Sequence, residues 1–330
     1  MKGNIEYEQK IETKIFNLIN KNNLLKGFYS FISDKTMSTR YTYLGYVNSF
    51  IEYANKNPNM FTIDDFTGYM LAIQKTNSGE RTTSSYRIAV YSALKKYGKY
   101  LVASGQLTSN PMDFIDRPKA VENQSTIAKR DVGFLSKKEI PRYINTINKG
   151  VGSERSVKRQ QEWKERDLAI AMIFLNTGIR CSALMKIDVN SIDFAKQTLV
   201  VTDKEEKVHI YDLSVELLNV IKNWIIKREK ILNGQHTDAL FISNRKVRMD
   251  QASIYRVVNK YSSNIKGKHI TPHKLRATYG TQLYNETGDI YFVQECMGHS
   301  NPKTTEIYIR DTKNTTKKAS DIMKNLTCKM

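Results

Sequence analysis

Apolar residues recur at helical spacing in the first third of the chain, at strand spacing in a short central stretch, and at helical spacing again to the end. Within residues 6–33, Ile15, Phe16 and Ile19 predict a helix with one apolar face. From Ser38 the pattern strengthens, with Tyr43, Tyr46, Val47, Phe50 and Ala54 returning every three or four positions. Thr62 followed by Asp65 is a start signal, because a carboxylate three residues on reaches back to the cap N–H. Ile63, Phe66, Met70 and Ile73 then continue on one face, and Asn77-Ser78-Gly79 makes a turn. A third helix turns Val90, Leu94, Tyr97 and Leu101 inward and ends at Gly105, before Asn110-Pro111 leads the chain out. Residues 1–116 are therefore expected to form an all-helical domain, with 1–37 as an extension ahead of its core.

Residues 117–132 have no periodicity and read as a linker. A second domain over 133–330 opens on another capping pair, Ser136 with Glu139. The stretch 166–175 is apolar on most sides, breaks at Thr177-Gly178 and restarts at Arg180. Alternation over 198–202 and 207–213, around the polar 203–206, predicts a β-hairpin. Ser214 caps a helix that buries Leu217, Leu218, Ile221 and Trp224, Asp250 starts another, and further helices run from His273 onward. The expected class is mainly α with a small β-sheet in the second of two domains.

Charge adds a partner class. Lysine and arginine number 52 against 33 acidic residues, a net charge of +19, and both halves share the excess. A field of that sign spread over folded domains suits a polyanion such as nucleic acid. Arg81, Arg87, Lys95, Lys96 and Lys99 on and before the third helix, and Arg245 and Arg248 in the second domain, are the candidate phosphate contacts. A solvated helix face explains the first group equally well. No apolar run is long enough for a membrane span, and the first residues lack a secretory core, so a cytoplasmic, nucleoid-associated protein is expected. Cys181, Cys296 and Cys328 are too scattered for a disulfide framework or a metal site.

The chain has no glycine-rich phosphate loop ending in Lys-Ser/Thr, no His-Glu-x-x-His and no Cys-x-x-Cys. An enzyme acting on phosphate without metal needs arginines for the non-bridging oxygens, a side-chain nucleophile and an acid for the leaving oxygen. Candidates exist. Arg180 follows a Thr-Gly break at a helix start. His273 and Arg276 stand three apart and share a helix face. Lys204 lies in the hairpin tip, and His299 and Tyr308 flank a polar turn containing Pro302. Each alone is commonplace: surface arginines and turn lysines outnumber catalytic ones.

Their order changes the weight. Thr177-Gly178-Ile179-Arg180, then Thr271-Pro272-His273-Lys274-Leu275-Arg276, then Gly298-His299-Ser300-Asn301-Pro302-Lys303-Thr304-Thr305-Glu306-Ile307-Tyr308 together resemble the tyrosine recombinases of the phage-integrase family over about residues 38–315. The resemblance implies a two-domain clamp around double-stranded DNA and cleavage without metal, ATP or any cofactor. It implies that Arg180 and Arg276 bind the scissile phosphate, His273 moves the nucleophile's proton, His299 bonds a non-bridging oxygen, Lys204 protonates the departing 5′ oxygen, and Tyr308 attacks phosphorus. It also implies a tetramer at two recombination sites, exchange of the tail 312–330 between protomers, and room for an accessory directionality factor. Integration or excision of a mobile element is the expected setting, with Xer-type dimer resolution as the alternative. A DNA-binding regulator on the same fold and a topoisomerase of similar chemistry are the competing classes. Two positions depart from the family pattern: Ala183 stands where an acidic residue usually supports the site, and Ala277 where a histidine often follows the second arginine.

Overall fold

The computed structural model describes residues 2–76, 78–120, 133–202, 208–265 and 268–298. The chain divides into two compact units, Met1–Asn123 and Gln124–Met330.

The first unit is helical: α1 (Lys2–Lys21), α2 (Leu25–Phe31), α3 (Met37–Ala54), α4 (Ile63–Ala72) and α5 (Ser84–Ala103). The side chains of Thr36 and Thr83 accept from backbone N–H groups at the starts of α3 and α5. Asp65 accepts from Thr62 N at 2.9 Å, which fixes the start of α4. The core is aromatic. Phe28, Phe50, Phe66 and Tyr97 are fully buried, and the Phe50 and Phe66 rings stand 4.4 Å apart. Residues 1–37 were expected to extend beyond this core. Instead Ile11, Ile15, Leu25, Phe28 and Ile32 are buried in the same cluster as Phe50. Burying those side chains takes their apolar surface out of water, so α1 and α2 belong to the unit. Phe16 also departs from the sequence reading: it sits about 100° round the helix from Ile15 and is 63% exposed.

The second unit holds α6 (Glu139–Lys149), α7 (Glu154–Glu162), α8 (Lys164–Thr177), the short α9 (Cys181–Leu184), β1 (Ile192–Asp193), β2 (Thr198–Thr202), β3 (Val208–Asp212), α10 (Val215–Leu232), α11 (Gln251–Lys260), α12 (Pro272–Thr287) and α13 (Ile290–Met297). The strands form an antiparallel sheet in the order β1-β2-β3, with Val200 opposite Ile210. β1 was not foreseen, because two residues are too short to show alternation. Apolar α8 buries Ala169, Ile170, Ile173 and Phe174, with α10 and α12 packed beside it.

One polar cluster crosses this core. The Asp167 carboxylate accepts from Arg166 Nε and Nη2, from Lys260 Nζ at 2.8 Å and from Tyr261 Oη at 2.7 Å. Arg166 Nη1 donates to Ile242 O at 3.0 Å. Asp167 is 1% exposed; its carboxylate joins α8 to the end of α11, and Arg166 carries the link on to the segment at Ile242. Burial, then the Asp167 charge, pushes the Tyr261 phenol far above its ordinary range and keeps it a donor. Removing one partner of a buried charge cluster leaves the others uncompensated. Asp167→Ala is expected to lower the unfolding free energy of this unit by about 3–5 kcal/mol in urea. Trp163 and Trp224, both in this unit, report the transition by fluorescence. A loss below about 1 kcal/mol would mean that the cluster acts like an exposed ion pair.

Candidate active site

Three expected site residues, Arg180, His273 and Arg276, fall among the described residues; Lys204, His299 and Tyr308 lie outside them, as does the tail 312–330. The three come from two helix starts. Helix α8 ends at Thr177, and Gly178 caps it in the left-handed region at φ +60°. The Thr177 hydroxyl donates to Ile173 O at 2.7 Å and accepts from Ile179 N at 3.3 Å, so the break is tied on both sides. Arg180 follows as the N-cap of α9, in extended backbone. Helix α12 starts with Thr271, whose hydroxyl accepts from Lys274 N, and with Pro272 in its first turn. His273 and Arg276 then lie one turn apart.

The arginines meet at two glycine turns. Arg276, 5% exposed, donates through Nη1 to Gly178 O and through Nη2 to Met297 O. Arg180 Nη2 donates to Gly298 O at 3.1 Å. Gly298 caps α13, again left-handed at φ +58°. Arg276 thus holds the turn that precedes Arg180, and both arginines hold the turn that precedes position 299. Neither turn tolerates a side chain. A Cβ at Gly178 would stand 2.3 Å from Tyr279 Cδ1, and one at Gly298 would stand 2.6 Å from His209 Cε1. Both positions also need the left-handed conformation that side chains disfavour by about 1–2 kcal/mol.

Local electrostatics follow from this packing. His273 keeps an exposed edge, yet partial burial and then the Arg276 guanidinium lower its pKa from the ordinary 6.5, so the neutral imidazole predominates at pH 7. Burial first, then the neighbouring Cys296, pushes the Tyr279 phenol up to about 12. Burial pushes the Cys181 thiol up to about 12. Both stay protonated near neutrality and make poor nucleophiles. Tyr279 is a packing residue against Gly178, and Tyr291 is 76% exposed on the surface. Ala183, in place of the family's acidic residue, is 3% exposed inside the fold. The Gly298 carbonyl is a partner that orients Arg180 in its absence.

The start of this unit is tied to the same helix. Leu135 N donates to Thr278 Oγ1 at 2.9 Å, and Gln282 Nε2 donates to Leu135 O at 3.0 Å. Lys268 Nζ donates to Phe134 O and to Glu139 Oε2 at 2.7 and 2.6 Å. No local pattern of residues signals these tertiary bonds. Gly298 and His209 also had no role assigned to them, although Gly298 sits at a recognisable helix stop.

The candidate phosphate contacts divide. Arg248 is not available on the surface: Nη1 donates to Met185 O and Ile187 O at 3.1 Å, and Nη2 pairs with Asp188. Arg245 and Arg81 are exposed. On α5, Arg87 and Lys96 stand about half a turn apart, so they cannot form one stripe. Lys95 pairs with Asp113 at 3.2 Å, Lys96 lies over the Phe31 ring, and Lys99 is exposed. Among the described residues no group of three or more histidine, cysteine or acidic side chains could hold a metal, and no helix is long and apolar enough to cross a membrane.

The curated tyrosine recombinase XerC of Shewanella amazonensis is 28% identical over 246 residues, covering 74% of this chain and 75% of that protein. The XerC of Natranaerobius thermophilus is 26% identical over 301 residues, covering 87% and 93%. Two solved structures share the fold. The XerH site-specific recombinase bound to a palindromic difH substrate superposes with a TM-score of 0.67 at 20% identity, covering 95% of this chain and 89% of that one. A lambda integrase fragment dimer bound to a COC' core site gives 0.63 at 14% identity, covering 88% and 95%. The phage integrase family matches residues 133–315, more than half of the chain. The chain therefore belongs to the phage integrase family and is a tyrosine recombinase, a site-specific enzyme that cleaves and rejoins DNA.

Proposed function

We propose that this recombinase cuts duplex DNA with Tyr308 as nucleophile and Arg180, Arg276, His273, His299 and Lys204 around the reacting phosphate. The observation that carries the reading is the pair of arginines braced on the Gly178 and Met297–Gly298 turns, because the second turn leads directly to position 299. Tyr308 Oη forms a bond to phosphorus while the P–O5′ bond breaks. Neutral His273 takes the phenol proton, and Lys204 gives a proton to the departing 5′ oxygen. The 3′-phosphotyrosine keeps the phosphodiester's energy, so attack by a 5′ hydroxyl rejoins DNA without a cofactor. A phenol with pKa about 10 needs this help, and two fixed guanidinium groups favour the phenolate and the pentavalent charge together.

The neighbours solved with their DNA sites, the XerH and lambda integrase complexes, support double-stranded DNA as the partner. A tetramer that exchanges tail 312–330 follows from the family resemblance, as does a cytoplasmic place at the nucleoid. For the setting, an N-terminal extension and Ala183 were the two features that pointed to a mobile element; α1 and α2 are core helices, so Ala183 alone remains. The XerC relatives favour the Xer-type alternative.

The tests need a cognate site, obtained by covalent capture of nicked duplexes from a random-sequence pool. With a recovered duplex, wild type is expected to give a protein–DNA adduct on a denaturing gel and Tyr308→Phe none; an undiminished adduct in that variant removes Tyr308 from the role. The lowered pKa of His273 sets a pH dependence. As pH falls through that value the imidazole gains a proton and can no longer accept one, so single-turnover cleavage should drop on the acid side of 6.5. The acid limb is expected to vanish in His273→Gln, and an unchanged limb would assign the proton to another group.

A further inference from the structure

Strand β3 is the returning strand of the hairpin, and its residues alternate between two faces. Val208 and Ile210 face solvent, 62% and 66% exposed. His209 and Tyr211 take the opposite face, paired across the ladder with buried Val201 and Leu199. The two rings stack, with centroids 6.3 Å apart and planes 26° from parallel. The His209 ring ends against the Gly298 turn, with Cε1 2.6 Å and Nε2 3.3 Å from where a Cβ at 298 would stand. That approach is possible only because residue 298 has no side chain. The carbonyl of the same glycine receives Arg180. One imidazole therefore links a hairpin strand to the peptide group that aims an arginine.

We propose that His209 is a positioning residue for DNA cleavage: its ring wedges between β3 and the Gly298 turn and so sets where Arg180 points. The proposal rests on the reading of Arg180 as a phosphate-binding residue. The contact is made by the flat face and edge of a ring, so shape carries the effect and proton transfer does not. β3 pairs with β2 from Val208 back to Thr202, and the intervening residues include Lys204. The wedge therefore also fixes the hairpin's base relative to the turn. Displacing a reacting group by a fraction of an ångström slows the chemical step without loosening DNA held by many other contacts.

Single-turnover cleavage of the captured duplex at saturating protein tests this, with DNA affinity and melting temperature measured in parallel. His209→Ala is expected to cut about tenfold more slowly with affinity unchanged, and His209→Phe, which keeps a ring, to recover to within about threefold of wild type. Wild-type cutting by His209→Ala overturns the proposal, as does a loss confined to affinity, which would make His209 a DNA contact. Equal loss in Ala and Phe overturns it too, since the imidazole's own chemistry would then matter. Arg180→Ala runs alongside: if it cuts normally, the reading of Arg180 fails, whereas normal cutting by His209→Ala beside an inactive Arg180→Ala sinks the wedge alone. A second measurement avoids reliance on one fold-sensitive variant. Gly298→Ala collides with the His209 ring, so adding His209→Ala should restore part of its lost melting temperature and cleavage. Strictly additive losses would contradict the contact.

Discussion

Two arginines hold the carbonyls of two left-handed glycine turns, and the rest of the second unit is arranged so that they can. A guanidinium is a rigid fork of donors, and when one prong is fixed on a backbone oxygen the plane of the group is fixed with it. Arg276 spans Gly178 and Met297, and Arg180 reaches Gly298. Three stretches far apart in sequence, around positions 178, 276 and 298, thereby share one frame. Charge alone would not achieve this. Two positive groups brought together repel unless dipoles lie between them, and the carbonyl oxygens at helix C-termini supply the negative ends. The phosphate proposed to bind here meets donors whose orientation is already set, which lowers the reorganisation needed in the transition state.

Around that frame the packing is aromatic and polar rather than uniformly oily. Tyr279 fills the space beside Gly178, and His209 fills the space beside Gly298. Asp167 binds Arg166, Lys260 and Tyr261 inside the core, so α8, which leads to Gly178, cannot slide independently of α11. The bonds from Leu135 to Thr278 and Gln282 attach the beginning of the unit to α12. Movement of the incoming segment would thus be felt at the helix that carries His273 and Arg276.

Much of this was readable from residues. Thr62 with Asp65, Ser214 and Asp250 are local signals, and each starts a helix where expected. The hairpin followed from alternation, and the order of Arg180, Lys204, His273, Arg276, His299 and Tyr308 led to the family. What escaped the sequence was non-local. Arg248 looked like a surface cation until its carbonyl partners and Asp188 were seen. The basic residues of α5 were candidate phosphate contacts until Lys95 was seen paired with Asp113 and Lys96 lying over the Phe31 ring. Residues 1–37 read as an extension ahead of the core, yet Ile15, Phe28 and Ile32 complete an aromatic core that only tertiary packing reveals. His209 shared in the hairpin's alternation and Gly298 in the final motif, but their contact, across 89 positions, had no signal in the sequence.

We propose that Arg180 and Arg276 act as one braced unit on one phosphate. A double-mutant cycle on single-turnover cleavage measures this directly, using Arg180→Ala, Arg276→Ala and the pair. Residues that work as a unit lose most of their effect with the first removal, so the double variant is expected to cut no more than about threefold slower than the worse single variant. A double variant whose loss equals the product of the two single losses would show two independent arginines and rule out a braced unit.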